Sequence, residues 1–358
     1  MSTIEKRLSA FRIKLSEKNL DAVLITKRES YIYLSGFNGT SAFLIITQND
    51  ALLVTDFRYV EQAGKQADKY EIVQYQGNVI NTLSDVLKSR NVEKLGFEDR
   101  DLNYRKYLEY REKLGVKEFA PVEGMIDELR MIKDTDEINI IEKAVEIADK
   151  AFTHILSYIR PGVKEVEVAA ELEYHMKKLG ARKTSFDSIV ASGKRASLPH
   201  GVASEKAIEA GDVITLDFGA LYNDYCSDMT RTVFLGEPDR EIRRIYGIVL
   251  EAQLRAIEGA KKGLKGKEVD SIARDIIYNN GFEKNFGHGL GHCLGLEIHE
   301  EPRFSPTGET NMENGMVVTV EPGIYVSGLG GVRIEDVIII NDDKPTILTK
   351  STKELIVL

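Results

Sequence analysis

Four carboxylates placed inside or at the ends of apolar stretches constrain this chain more than any other feature. Asp217 interrupts the run 213–222 and Glu335 the run 332–340, while Glu321 closes 316–321 and Asp228 opens 228–235. Each run has the length and apolar character of a buried strand. A carboxylate buried there must be paired, protonated or bound to a cation. Two carboxylates about 4 Å apart repel by roughly 4 kcal/mol at an effective dielectric of about 20. Arg333 is the counter-charge close by in sequence, and one guanidinium cannot neutralise four acids. Divalent metal is the simplest way to hold them together.

The residues around the acids share that theme. Asp217 lies in Leu216-Asp217-Phe218-Gly219-Ala220, and Asp228 in Ser227-Asp228-Met229-Thr230-Arg231-Thr232. A segment of small residues and histidines follows, Gly287-His288-Gly289-Leu290-Gly291-His292, then Gly295-Leu296-Glu297-Ile298-His299-Glu300. Glu321 stands in Glu321-Pro322-Gly323-Ile324-Tyr325, and Glu335 in Gly331-Val332-Arg333-Ile334-Glu335-Asp336. Singly, each has a plainer explanation: Asp217 as a turn carboxylate, His292 as a hydrogen-bonded core histidine, Glu335 and Asp336 as a solvated strand end. The glycines of 287–295 could pass for a phosphate loop, but no Gly-Lys-Ser/Thr follows. Their joint occurrence favours metal chemistry.

A chain of 358 residues is too long for one ordinary core, so two domains are expected. Residues 1–124 alternate helical and strand patterns. Amphipathic spacing over 4–20 comes first, then strands at 22–26, 42–47, 51–55, 71–75 and 94–98, with helices at 58–67, 79–89 and 102–114. That alternation is an α/β pattern. Pro121 and Gly124 mark the boundary, and residues 125–358 form the second domain. There a long helix begins behind Asp134, with Glu137 completing a capping box, and a second helix covers 163–179. Strands at 188–192, 213–222, 228–235, 316–321 and 332–340 then enclose helices at 240–262 and 266–279. Helices flanking a curved, mostly antiparallel sheet make this an α+β domain.

Composition narrows the partners. The formal net charge of −9 repels phosphate backbones, so nucleic acid is not expected. No apolar run reaches the length of a membrane span, and the charged stretch 1–20 lacks the apolar segment of a signal peptide. Cys226 and Cys293 are too few for a disulfide framework and fit a reducing compartment, so a cytoplasmic protein with two buried free thiols is expected.

The ordered set LDFGA, SDMTRT, GHGLGH…HE, EPGIY and VRIED resembles the signature of the pita-bread metallopeptidases. That superfamily includes Xaa-Pro aminopeptidase (aminopeptidase P), Xaa-Pro dipeptidase (prolidase), methionine aminopeptidase and creatinase. The resemblance covers about residues 125–358, and the α/β domain ahead of it is similar to that of the aminopeptidase P, prolidase and creatinase branch. It implies a pita-bread catalytic domain preceded by a smaller creatinase-type domain, and a dinuclear metal site. Asp217 would hold one metal, Asp228 and Glu335 would bridge two, and His292 and Glu321 would complete the ligands of the second metal. His299 would contact substrate, His200 would orient it, Arg333 would support the carboxylates, and Tyr325 would be a further contact. His288 is read as structural. An oxygen-rich set with one imidazole favours Mn²⁺, with Co²⁺ or Zn²⁺ also fitting.

The resemblance also implies small peptide substrates with proline in the second position, and a homodimer. Xaa-Pro aminopeptidase is the reading preferred from sequence, with prolidase beside it. Other classes stand behind them: a metal-free amidine hydrolase of creatinase type, which the filled ligand set disfavours, a metal-bearing hydrolase of another small amide, and a non-catalytic binding module of the same fold.

Overall fold

The structure is a computed structural model that describes residues 2–358. It divides into two compact units, Met1–Arg130 and Met131–Leu358. The first opens with α1 (Thr3–Glu17), started by a Ser2–Glu5 capping box and burying Leu8, Phe11 and Leu15. There follow β1 (Ala22–Ile25), α2 (Arg28–Ser35), β2 (Phe43–Thr47), β3 (Ala51–Thr55), α3 (Val60–Gln66) and β4 (Glu71–Gln74). Next come α4 (Val79–Ser89), β5 (Lys94–Phe97), α5 (Tyr104–Lys113), β6 (Glu118–Pro121) and α6 (Met125–Arg130). The strands make one six-stranded sheet, ordered β4-β3-β2-β1-β5-β6. The pairs β1–β2 and β2–β3 are antiparallel, and β3–β4, β1–β5 and β5–β6 are parallel.

Three elements of this unit, α2, β6 and α6, escaped the sequence pattern. Helix α2 buries Ser30, Tyr31, Ile32, Tyr33, Leu34 and Ser35 in a row, so it shows no polar face to set a helical period. Strand β6 is a sheet edge with Glu118 and Pro121 exposed, where proline is tolerated because the outer ladder is unpaired. The division falls after Arg130 and not at 124/125, because α6 packs on α1 and buries Met125 and Ile126.

In the second unit, α7 (Thr135–Ile155) begins with the Asp134–Glu137 capping box expected from sequence. It is followed by α8 (Glu165–Lys178), β7 (Lys183–Thr184), β8 (Ile189–Ser192), β9 (Val213–Phe218), β10 (Ala220–Tyr222), β11 (Tyr225–Cys226) and β12 (Met229–Phe234). Then come α9 (Arg240–Gly259), α10 (Gly266–Asn279), β13 (Gly291–Cys293), β14 (Glu300–Phe304) and β15 (Val317–Val320). The last strands are β16 (Gly323–Val326), β17 (Gly330–Arg333), β18 (Asp336–Ile339) and β19 (Thr346–Ile347). The ladders β12-β9-β8, β14-β13-β15-β18-β19, β11-β10-β7 and β16-β17 are antiparallel throughout. Helices α7 and α8 close one core with Ile214, Leu216 and Phe218 of β9. Helices α9 and α10 close a second with Val318, Val320, Ile334 and Ile338. Each large side chain fully buried in such a core contributes about 1.5–3 kcal/mol.

Two runs read as single strands are broken, and both breaks shape the site. The first breaks at Gly219, where a Cβ would stand 1.8 Å from the Ser227 carbonyl oxygen; only glycine lets β9 and β10 pass that backbone. The second breaks at Ile334–Glu335: β17 pairs with β16, but β18 pairs with β15. Glu335 therefore sits where the chain crosses between two ladders, its N–H donating to the Thr230 carbonyl at 3.1 Å. Among the described residues no helix is long and apolar enough to cross a membrane.

Candidate metal centre

Strand alternation aims the acids. In β9 the odd positions Thr215 and Asp217 turn away from the core that takes Ile214, Leu216 and Phe218. Asp217 pairs across the ladder with Thr230 of β12, and Asp228 precedes β12 by one residue. His292 lies in β13, its N–H held by the Thr319 hydroxyl at 3.0 Å. A Cβ on the preceding Gly291 would meet the Thr319 carbonyl oxygen at 2.0 Å, so that strand approach also requires glycine. Glu321 follows β15 directly, and its Oε1 accepts from the Thr319 hydroxyl at 3.3 Å.

Asp228, His292 and Glu335 each offer a ligand atom, all within 4.8 Å of one another. Glu321 joins them through its Oε1, 3.4 Å from His292 Nε2, and Asp228 Oδ2 stands 3.7 Å from the same nitrogen. Asp217 lines the same cavity, of about 440 Å³, as do Arg333, Tyr325, His200 and His299. The volume falls in the range of small-ligand pockets, about 300–1,000 Å³. The two outer histidines are exposed, and the His299 ring lies 4.4 Å from that of His292.

Arg333 organises one wall. Its Nη2 donates to Asp217 Oδ2 at 2.6 Å, Nη1 to the Tyr325 hydroxyl at 2.7 Å and to the Pro199 carbonyl at 3.2 Å, and Nε to Thr230 Oγ1 at 3.0 Å. The Pro199 contact fixes the segment that carries His200. The Thr230 hydroxyl in turn donates a hydrogen bond to Glu335 Oε2 at 2.7 Å. The Tyr325 hydroxyl, having accepted from Arg333, can donate to His288 Nε2 at 3.0 Å, while His288 Nδ1–H donates to the Gly289 carbonyl at 2.8 Å. His288 thus forms part of the cavity wall. Thr230, Thr319 and the His288–Tyr325 contact were not singled out from sequence. Thr230 had a readable signal, since it lies two residues after Asp228 on the same strand face.

The residues fit divalent metal. Asp217 Oδ1, Asp228 Oδ1 and Glu335 Oε1 are buried and have no hydrogen-bond partner. Such groups are costly in a protein interior. Burial, then the neighbouring Glu335, Asp217 and Glu321, drive the Asp228 carboxyl well above its ordinary range. Burial and the same crowd raise Glu335, and burial and Asp217 push Glu321 up to about 8. His292 moves the other way, down to about 3, through burial and then His299, so its ring is neutral at pH 7. Its Nδ1 faces the Cys293 carbonyl at 3.1 Å and must carry the hydrogen. Nε2 therefore presents a lone pair to two carboxylates, an arrangement that a cation resolves. Thr230→Val, which removes the hydroxyl between Arg333 and Glu335, is expected to weaken Mn²⁺ binding by about 10–100-fold. Calorimetric titration of the stripped protein measures this, and unchanged affinity would show that the hydroxyl does not orient Glu335.

Comparison with known proteins agrees with this geometry. Residues 139–342 match the model of metallopeptidase family M24, and residues 7–132 that of the Creatinase/Prolidase N-terminal domain. The Xaa-Pro dipeptidase of Pyrococcus furiosus is 46% identical over 355 residues, spanning 99% of this chain and 100% of its own length. A solved Xaa-Pro dipeptidase from Bacillus anthracis superposes with a TM-score of 0.97 at 50% identity, covering 99% of this chain and 100% of that one. An X-Pro aminopeptidase from Thermotoga maritima superposes with a TM-score of 0.92 at 39% identity, covering 98% of this chain and 99% of that one. The chain belongs to metallopeptidase family M24, with a Creatinase/Prolidase N-terminal domain ahead of a pita-bread catalytic unit.

Proposed function

We propose that this protein is an Xaa-Pro dipeptidase, a prolidase, that hydrolyses the bond between an N-terminal residue and proline. The preference for an aminopeptidase drawn from sequence is revised, because dipeptidases stand at 45–50% identity over nearly the whole chain while the Thermotoga aminopeptidase structure stands at 39%. The observation that carries the hydrolytic reading is the cluster of buried, partnerless carboxylate oxygens around a neutral histidine.

In this reading Asp217, Asp228, His292, Glu321 and Glu335 hold two divalent ions, Mn²⁺ by preference for so oxygen-rich a set, with Co²⁺ or Zn²⁺ also compatible. Bound there, a metal pair acidifies water and polarises a carbonyl oxygen. The chain's own groups do the rest. Glu321 Oε1, steadied by Thr319, takes a proton from the attacking water and returns it to the proline nitrogen, a role generally worth about 10²–10⁴-fold. His299 and His200, at the open end of the cavity, orient the substrate carbonyl and stabilise charge developing on its oxygen. Arg333 and Tyr325 keep Asp217 and the His200 segment in place. A homodimer in the cytoplasm completes the proposal.

Paired rates on Ala-Pro and Ala-Pro-Ala test the assignment. With Mn²⁺ bound, kcat/KM on the dipeptide is expected to exceed that on the tripeptide by at least about ten-fold, roughly 1.4 kcal/mol. Equal or faster tripeptide cleavage would move the protein to the aminopeptidases. Activity that survives exhaustive chelation would overturn the metal-dependent mechanism.

A further inference from the structure

Behind the carboxylates lies a second polar network that the chemistry above does not use. Strand alternation puts Thr230 on the cavity side and Arg231 on the reverse, and at the break Glu335 lines the cavity while Asp336 pairs with Arg231 behind it. Arg231 is 2% exposed and Asp336 0%. Arg231 Nη1 donates to the Thr230 carbonyl at 2.9 Å and to the Glu335 carbonyl at 2.5 Å. Nη2 reaches Asp336 Oδ1 and the Ser351 carbonyl, each at 2.7 Å, and Nε the Thr352 carbonyl at 2.9 Å. On the other side of Asp336, Oδ2 accepts from Lys353 Nζ at 2.6 Å and from Gln253 of α9 at 3.0 Å. The Tyr246 hydroxyl of α9 holds the Lys353 and Glu354 carbonyls at 3.0 and 3.2 Å.

We propose that residues 351–353 belong to the positioning machinery of the active site. Through Arg231, Asp336 and Lys353 they grip the backbone at Thr230 and Glu335 and so fix where the Glu335 carboxylate stands. Glu335 lies in the break between β17 and β18, where its own ladder contacts are missing. Its N–H is taken by the Thr230 carbonyl and its C=O by Arg231. On its far side the chain is held by the β15–β18 ladder, which starts at the pair Val320–Asp336. Arg231 in turn is oriented by a carboxylate on one arm and two carbonyls of the 351–352 segment on the others. Lys353 neutralises the second oxygen of Asp336, which keeps that carboxylate from drawing the guanidinium away from Glu335. Lys353 touches no cavity residue and is a positioning residue.

The inference rests on the reading of Glu335 as a metal ligand, so the experiment includes a control for that reading. Lys353→Met keeps the aliphatic stem of a side chain 18% exposed; it removes the bonds from Nζ to Asp336 Oδ2 and to Gln253 Oε1 but leaves Asp336 paired with Arg231 and with the Gln253 amide. Mn²⁺ affinity of K353M is expected to fall about ten-fold, and kcat on Ala-Pro by a similar factor with KM within about two-fold. Circular dichroism and the elution volume are expected to match wild type, and Lys353→Arg to restore most of both losses. Wild-type metal affinity in K353M, or a loss that Arg does not rescue, would overturn the positioning role. Glu335→Gln is the control. If it loses metal while K353M does not, only the positioning proposal fails. If it keeps full metal, the assignment of Glu335 fails and the proposal with it.

Discussion

Glu335→Gln is expected to lose at least one equivalent of divalent metal and to lower kcat/KM on an Xaa-Pro dipeptide by on the order of 10³-fold or more, about 4 kcal/mol. The substitution keeps the shape and leaves an oxygen for the Thr230 hydroxyl, so the change is one of charge. That charge matters in opposite directions in two states. In the loaded protein it is needed against the cations. In the stripped protein burial, and then the neighbouring Glu321 and Asp217, raise the Glu335 pKa well above the usual range. The chelated variant is therefore expected to melt at a higher temperature than chelated wild type, while the Mn²⁺-loaded variant melts lower than loaded wild type. Elemental analysis and calorimetry with and without chelator read both signs. A chelated variant that melts below chelated wild type would remove the claim that these carboxylates repel one another in the fold.

The pH dependence of the chelated protein carries the second large effect. Asp228, Glu321 and Glu335 have pKa values raised by folding, with Glu321 at about 8. The native state thus binds more protons than the unfolded chain, and stability falls as pH rises from the ordinary carboxylate range towards about 8. The buried histidines act with the opposite sign at lower pH. Burial lowers His292 to about 3 and His288 to about 4, so their contribution grows as pH rises to the ordinary histidine value of about 6.5 and is then complete. Between about 6.5 and about 8 the site acids act in one direction, joined by Glu98 of the first unit, which burial pushes up to about 7 and which chelation does not affect. In that window the melting temperature of chelated protein is expected to fall, by several kcal/mol of stability, while Mn²⁺ competes with the protons and restores it. The gap between loaded and chelated melting temperatures therefore widens with pH. A chelated melting temperature that stays flat or rises over this window would contradict the burial of these carboxylates.

What could be read from sequence followed from how each residue signals its surroundings. Asp217 announced itself because a strand otherwise made of Val213, Ile214, Leu216 and Phe218 leaves a carboxylate no ordinary reason to be there. The capping box at Asp134 and Glu137 is local, and local chemistry is legible. Helix α2 was illegible because burial on every side erases periodicity. Strands β13 and β14 were missed because their glycines and charged residues are chosen for close approach and crowding, not for strand propensity. The crossing at Ile334–Glu335 looks continuous in sequence, since a chain that changes partners need not change composition. Contacts such as Tyr325 with His288, or Arg231 with residues 351 and 352, join positions far apart in the chain, and no pattern within either stretch predicts the other.

The two faces of the stretch from Asp228 to Phe234 also limit how this protein can vary in length. Deleting or inserting one residue there would exchange odd and even positions. A guanidinium would then be thrust among the cation ligands and a threonine hydroxyl into the space behind them. Surface loops of such a protein can absorb added or missing residues, but this stretch cannot change by one without losing both its acid-bearing side and its anchorage at once.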